Sequence, residues 1–372
     1  MSGRTLSAAV LFAVLLLLLN ALANGQASDV SRARDVLAPD ITPTPSSTPT
    51  PSPTLRLLPS ISPTPPPPSP TPTVPAFQVS FIDVGQGDSA LLRATDGTDV
   101  LIDGGPRSAG PTLVAYLQSE GIDDVEVLVL THADAEHVGG LIDVLQSAIH
   151  VESVFYNGQH GASLAYQEFL AETQQRGLTP VAVQAGQTFS WGQISASVLN
   201  PQAALEADQN ENSVVLLVVY GETRFFFGGD IGSSTEQTLL ESVTGTLTLR
   251  QQLPADVLKV AGHGDGSSSS AAFLEAVGAE VAVISVGARN PYEHPAQETL
   301  DRLRAAGAQV LRTDQNGTIV IATGGQTYEV YASFVIFLPS MRSAPPTVTP
   351  TPSNTPTGTP PTPTPTITPR PT

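Results

Sequence analysis

The stretch from residue 131 to residue 140 reads Thr-His-Ala-Asp-Ala-Glu-His-Val-Gly-Gly, and it places His132, Asp134, Glu136 and His137 within six positions. Gaps of one residue let alternate side chains of a tight loop converge on one point. Imidazole nitrogens mixed with carboxylate oxygens suit Zn²⁺ or Mn²⁺. The chain has no cysteine, so disulfides, thiolate ligands and a lipoprotein anchor are all excluded, and a metal would rely on histidine and carboxylate alone. Gly139 and Gly140 are expected to let the backbone turn sharply beside the cluster. Two distant candidates share its setting, directly after an apolar run: Asp230 in Gly228-Gly229-Asp230, and His263 in Ala261-Gly262-His263-Gly264.

Such side chains need rigid supports. Residues 125–130 are an apolar β-type run and 141–148 an apolar helical one, which predicts that the four ligands lie on a strand-to-helix loop. Before them, 77–81 reads as a strand running into the glycine-punctuated turn Asp83-Val84-Gly85-Gln86-Gly87-Asp88-Ser89. Residues 90–93 and 99–102 form a strand pair around Asp96-Gly97, ending at Asp103-Gly104-Gly105, and 111–120 is a helix. After the cluster come a strand at 153–156, a helix at 164–176 stopped by Gly177, and a short strand at 181–183. The pattern then changes to antiparallel strands at 193–199, 214–220 and 223–227.

A helix at 234–243, a strand at 257–260, a helix at 271–277 capped from the run Ser267–Ser270, a strand at 281–286 and a helix at 297–306 follow. Residues 310–313 and 318–322 are expected to pair as a hairpin around Asn316-Gly317. Two mixed sheets with helices outside them account for this order better than one parallel sheet, which predicts an αββα sandwich. His132 to His137, Asp230 and His263 then sit at strand ends, which hold ligands more firmly than long loops do.

The ends of the 372-residue chain differ from its middle. Residues 1–27 read as a signal peptide, with Arg4, an apolar run over 8–19 and the small-residue site Ala21-Leu22-Ala23; an uncleaved N-terminal anchor is the alternative. Residues 28–75 and 340–372 are rich in Pro, Thr and Ser and bury little, so they are expected to act as semi-rigid spacers outside the cell, tethering the protein to membrane or cell wall. The globular unit is placed at 76–339. It holds 10 of the 16 basic and 31 of the 34 acidic residues, a net charge of −21, and Lys259 is the only lysine. So acidic a surface repels polyanions unless bound metal offsets it, which weighs against a nucleic-acid substrate. No feature marks a protein partner.

Taken together, these residues resemble the metallo-β-lactamase superfamily, and within it the hydrolase domain of ComEC-type DNA-uptake proteins, here without the membrane channel. The resemblance rests on Phe81-Ile82-Asp83-Val84-Gly85-Gln86-Gly87-Asp88-Ser89, Leu101-Ile102-Asp103-Gly104-Gly105, the histidine cluster, Asn210-Glu211-Asn212-Ser213-Val214-Val215, Phe227-Gly228-Gly229-Asp230 and Val257-Leu258-Lys259-Val260. It continues through Asn290, Tyr292, His294-Pro295 and Thr313-Asp314-Gln315-Asn316-Gly317. It implies an α/β (α+β) chain folded as a four-layer αββα sandwich, and a metal-dependent hydrolase in which a divalent cation primes water for attack on phosphorus or a carbonyl. Two departures fall on ligands. Glu136 stands where the family usually has aspartate, and Gly262-His263-Gly264-Asp265 stands where it usually has His-His-Gly-Ser.

Carried over residue by residue, the resemblance implies that His132 and Asp134 bind one metal and Glu136, His137 and His263 another, with Asp230 bridging. Asp134 or Glu136 would serve as general base, and His294 would contact a phosphate or donate a proton to the leaving group. Asp103 is expected to orient the histidine loop. Asp88, Asn212, Lys259 and Tyr292 are assigned to supporting or substrate contacts, with phosphate binding or the charge of an edge strand as the particular readings of Lys259. The expected activity is an exported phosphodiesterase or nuclease acting on DNA or a smaller phosphoester. The competing readings are hydrolysis of non-phosphate esters or amides, and a stalked surface module whose metal site has degenerated.

Overall fold

The computed structural model describes residues 76–241, 243–244, 247–248, 252–332 and 335–336. The segments read as signal peptide, Pro/Thr/Ser spacer and tail lie outside the described residues. No helix among the described residues is long and apolar enough to cross a membrane.

In chain order the strands are β1 (Phe77–Phe81), β2 (Ala90–Ala94), β3 (Asp99–Ile102), β4 (Asp124–Leu130), β5 (His150–Tyr156), β6 (Val181–Ala182), β7 (Thr188–Trp191), β8 (Ile194–Asn200) and β9 (Val215–Tyr220). They continue with β10 (Thr223–Phe227), β11 (Val243–Thr244), β12 (Leu247–Thr248), β13 (Val257–Lys259), β14 (Val281–Ile284), β15 (Gln309–Arg312), β16 (Ile319–Thr323), β17 (Tyr328–Ala332) and β18 (Val335–Ile336). The helices are α1 (Gly110–Ser119), α2 (Ala135–Gln146), α3 (Leu164–Gln175), α4 (Ser233–Glu241), α5 (Ala271–Val277), α6 (Gln297–Ala305) and the single turn α7 (Thr313–Asn316).

A nine-stranded sheet runs β18-β17-β16-β1-β2-β3-β4-β5-β6 and a seven-stranded one β15-β14-β13-β10-β9-β8-β7, with β11 and β12 paired separately. Both large sheets are mixed. Pairing is antiparallel from β18 to β3 and parallel from β3 to β6. In the second sheet it is antiparallel from β7 to β10 and parallel from β10 to β15. Alternation along the strands explains the layering. Phe77, Val79 and Phe81 of β1 meet Phe225 and Phe227 of β10 between the sheets, and Phe81 stacks on Phe227 with ring centroids 5.9 Å apart. The opposite faces pack under α1 to α3 on one side and α4 to α6 on the other. The result is the four-layer αββα sandwich that the element order predicts.

Three local expectations are corrected. Helix α2 begins at Ala135, not at 141, so Glu136 and His137 lie on its first turn rather than on a loop. Gly139 and Gly140 are therefore helical, and they serve close approach instead of a turn. A Cβ at either would strike the backbone of residues 104–107, against which α2 is packed. The hairpin expected around Asn316-Gly317 does not form. β15 pairs with β14 in one sheet and β16 with β1 in the other, so this segment crosses between sheets through α7. Hydrophobic alternation cannot distinguish the two arrangements, because both strands face the same inter-sheet core.

Candidate metal centre

The site forms where β4, β10 and β13 end along one edge of the sandwich. β4 delivers Thr131 and His132, with His137 following on α2; β10 delivers Gly228-Gly229-Asp230; and β13 delivers Ala261-Gly262-His263. One atom each from Glu136, His137, Asp230 and His263 falls within 4.8 Å of the others. Asp230 Oδ2 lies 3.2 Å from His137 Nε2 and 3.3 Å from His263 Nε2, and Glu136 Oε1 lies 3.1 Å from His263 Nε2. His132 joins them: its ring centroid is 4.1 Å from that of His137, and its Nε2 is 3.7 Å from Asp134 Oδ2.

The three histidines share one polarity. His137 Nδ1 lies 2.9 Å from Asp103 Oδ2, and His263 Nδ1 lies 3.0 Å from the carbonyl of Ser285. Both partners only accept, so each Nδ1 carries the proton. His132 Nδ1 faces the hydroxyls of Thr131 at 3.1 Å and Ser213 at 3.4 Å. All three Nε2 atoms are thus left facing the acidic cluster. His132 Nε2 and Asp230 Oδ1 are buried with no hydrogen-bond partner, and buried polar atoms rarely remain so. Unpartnered nitrogen and oxygen donors converging in this way fit a divalent cation.

The electrostatics point the same way. Burial disfavours a charged His137 ring, but the carboxylates of Asp230 and Asp103 outweigh it and push its pKa up to about 10. Burial opposes a charged His263 in the same manner, and Asp230 and Asp88 raise it well above the ordinary value. For Asp230, burial would raise the carboxyl, yet His263 and His137 hold it well below the usual carboxylate range. The cluster calls for positive charge, which protons or a cation supply.

A family profile for the metallo-beta-lactamase superfamily matches residues 82–288. The chain belongs to that superfamily. Among curated relatives, it is similar to ComE operon protein 3 of Bacillus subtilis (strain 168), 31% identical over 259 residues that make up 65% of this chain and 32% of that protein. It is also similar to the competence protein ComA of Neisseria gonorrhoeae, 32% identical over 247 residues, 66% of this chain and 32% of that one. The chain thus spans about a third of the length of these competence proteins. Among solved structures it is similar to the metallo-beta-lactamase fold protein YhfI from Bacillus subtilis, with 13% identity, a TM-score of 0.43, and 66% of this chain and 98% of that one covered.

In this superfamily chain the remaining candidates divide between cleft and support. An open cleft of about 370 Å³ is lined by Asp134, Glu136, Asp230, His263, Tyr292 and His294, together with Asn210, Gly262 and Asp265. Tyr292 stacks on His294, centroids 5.6 Å apart, at its exposed rim. Burial lowers the pKa of His294, which favours a neutral ring, and its Nδ1 is buried without a partner. Asn212 does not reach the cleft. Its amide nitrogen bonds Gln159 Oε1 and the carbonyls of Glu206 and Asp208, and so folds the loop that carries Asn210.

The structure places Lys259 in the interior, beside Asp88. β13 lies between β10 and β14, so it is no edge strand, and Lys259 is buried away from the cleft against Asp88, 2.6 Å from it. Asp103 accepts from the Thr131 backbone at 2.8 Å and from the Thr131 hydroxyl at 2.7 Å. Thr131, Ser213 and Asp265 were missed. All three stand in quoted motifs, but their roles are not readable there, because contacts between distant side chains leave no periodic trace. Asp265 fills the space beside Gly262: a Cβ there would come within 2.9 Å of the Asp265 carboxyl carbon.

Proposed function

We propose that this chain is a metal-dependent phosphodiesterase whose centre takes one or two divalent ions, Zn²⁺ or Mn²⁺. The carrying observation is the convergence of three Nε2 atoms with the Glu136 and Asp230 carboxylates at the floor of an open cleft. His132 and Asp134 would hold one ion and Glu136, His137 and His263 the other, with Asp230 between them. A cation bound there lowers the pKa of a water molecule and polarises a phosphoryl oxygen. The protein's own groups do the rest. Asp134, half exposed and held ionised by its contact with His132, would accept a proton from the attacking water where it is not itself tied to a metal, and Glu136 would do so otherwise. His294, on the cleft wall, donates a hydrogen bond to a phosphoryl or leaving-group oxygen.

The cleft has four carboxylates, from Asp134, Glu136, Asp230 and Asp265, and neither lysine nor arginine in its lining. With so little basic surface for a long backbone, a small phosphodiester fits better than duplex DNA. The likeness to competence proteins and the spacer composition of the termini support a place at the cell envelope, exported and tethered, with no protein partner required.

The test is purification without added metal, metal analysis, and turnover of bis-p-nitrophenyl phosphate. One or two equivalents of Zn²⁺ or Mn²⁺, with turnover lost in His132→Ala, support the reading. A metal-free protein that neither takes up these ions nor turns over an ester would sink it and leave a binding module in its place. Steep salt dependence on DNA, with none on the small ester, would restore DNA as substrate.

A further inference from the structure

The only lysine of the chain lies behind His263, on the side away from the cleft. Lys259 is 4% exposed, and its Nζ contacts Asp88 Oδ2 at 2.6 Å and donates to the Val260 carbonyl at 2.7 Å. The other oxygen of Asp88, Oδ1, has no hydrogen-bond donor of its own and lies 3.1 Å from His263 Nδ1. That nitrogen also donates to Ser285. The neighbouring cavity, lined by Asp88, Asp103, Thr131, Lys259 and Ser285, measures about 10 Å³ and has room for no more than about one water. The pair is therefore only weakly screened.

Comparison with His137 shows what the lysine adds. Asp103 takes the Nδ1 hydrogen bond of that ring and is steadied by two neutral donors from Thr131, whereas Asp88 stands beside His263 Nδ1 as a charge while Ser285 takes the hydrogen bond. Asp88 has no such pair. An ionised carboxylate buried without a partner is heavily penalised, and a free one would rotate away from the imidazole or take up a proton. A residue placed for phosphate would face the cleft, and Lys259 does not.

We infer that Lys259 is a positioning residue for the metal centre: its ammonium anchors the Asp88 carboxylate against His263 Nδ1, so the ring is fixed with Nε2 presented to Glu136 and Asp230. The inference rests on the metal-binding reading above. It explains why a chain with so few basic residues keeps one in the middle of a sheet. Outer partners of this kind set ring orientation and tautomer, and their loss weakens metal binding on the order of 10- to 100-fold.

The experiment uses the full chain. Zn²⁺ affinity is measured by competition with a chromophoric chelator for the wild type, Lys259→Met, Asp88→Leu and the double variant, alongside thermal unfolding of each metal-free form. Nitrogen-15 spectra of the zinc-loaded wild type report which nitrogen of His263 carries the proton. We expect roughly 10- to 100-fold weaker zinc binding in all three variants. The double variant, with both charges removed, should unfold near the wild-type temperature, and the His263 proton should be on Nδ1. Wild-type affinity in a well-folded double variant, or a proton on Nε2, overturns the inference while leaving the metal centre standing. Failure of the wild type to bind zinc overturns both. Should these variants fail to fold, Asp88→Asn decides: it keeps the side-chain shape but removes the charge beside His263 Nδ1, and unchanged zinc affinity overturns the inference.

Discussion

Asp103 Oδ2 lies 2.9 Å from His137 Nδ1, and Asp103 holds the left-handed backbone conformation, with φ of 56°. Both carboxylate oxygens accept: Oδ1 from the Thr131 backbone, Oδ2 from the Thr131 hydroxyl and the imidazole. Asparagine tolerates the same backbone but offers only one acceptor oxygen. Asp103→Asn should therefore keep the fold at a loss of about 1–3 kcal/mol and lower zinc affinity on the order of 10- to 100-fold. Chelator competition together with denaturant unfolding checks both figures, and unchanged affinity would show that Asp103 does not orient His137.

Glu136 occupies a position where the family usually has aspartate, yet its Oε1 reaches within 3.1 Å of His263 Nε2. Shortening it by one methylene pulls the carboxylate out of that contact. A misplacement of about an ångström at a reacting centre lowers turnover by roughly 10²-fold. Glu136→Asp should thus lose the proposed phosphodiesterase activity, and a gain would mean that the glutamate impairs the site.

The metal-free protein should be pH-sensitive on the alkaline side. The His137 pKa rises from the ordinary 6.5 to about 10 in the folded state, so between these values the folded state binds more protons than the unfolded one. This contribution to stability is complete below about pH 6.5 and is lost as pH rises through about 10. Bound cation replaces the proton, so the stabilisation by metal should grow with pH over that range. Thermal unfolding with and without chelator at several pH values tests it, and parallel profiles would contradict it.

Gly262 takes φ of 57° and sits against the Asp265 carboxyl, whose oxygens accept from the Ser268 backbone at 2.8 Å and the Ser267 hydroxyl at 2.7 Å. Gly262→His, which would restore the family's histidine, should therefore destabilise by about 1–2 kcal/mol through backbone strain alone, with the collision in addition. It should bring no gain in activity. Adding Asp265→Ser should recover the part due to collision, as read by unfolding midpoints. Equal stabilities for the single and double variants would show that Asp265 is no obstacle.

Much of this was legible in the chain itself. Strand ends followed by His132, Asp230 and His263 identified the ligand candidates, because apolar runs announce buried strands and polar residues at their tips have few other places to go. The αββα order followed from the shift between helix-linked and antiparallel strands. Tertiary structure alone decided the rest. It joined Lys259 to Asp88, turned the Nδ1 atoms of three histidines inward and their Nε2 atoms toward one space, moved Glu136 and His137 onto a helix, and parted β15 from β16 between sheets. The reason is physical: side-chain periodicity records which face of an element is buried, whereas hydrogen bonds and ion pairs between distant segments depend on which elements become neighbours, and a linear pattern carries no record of that.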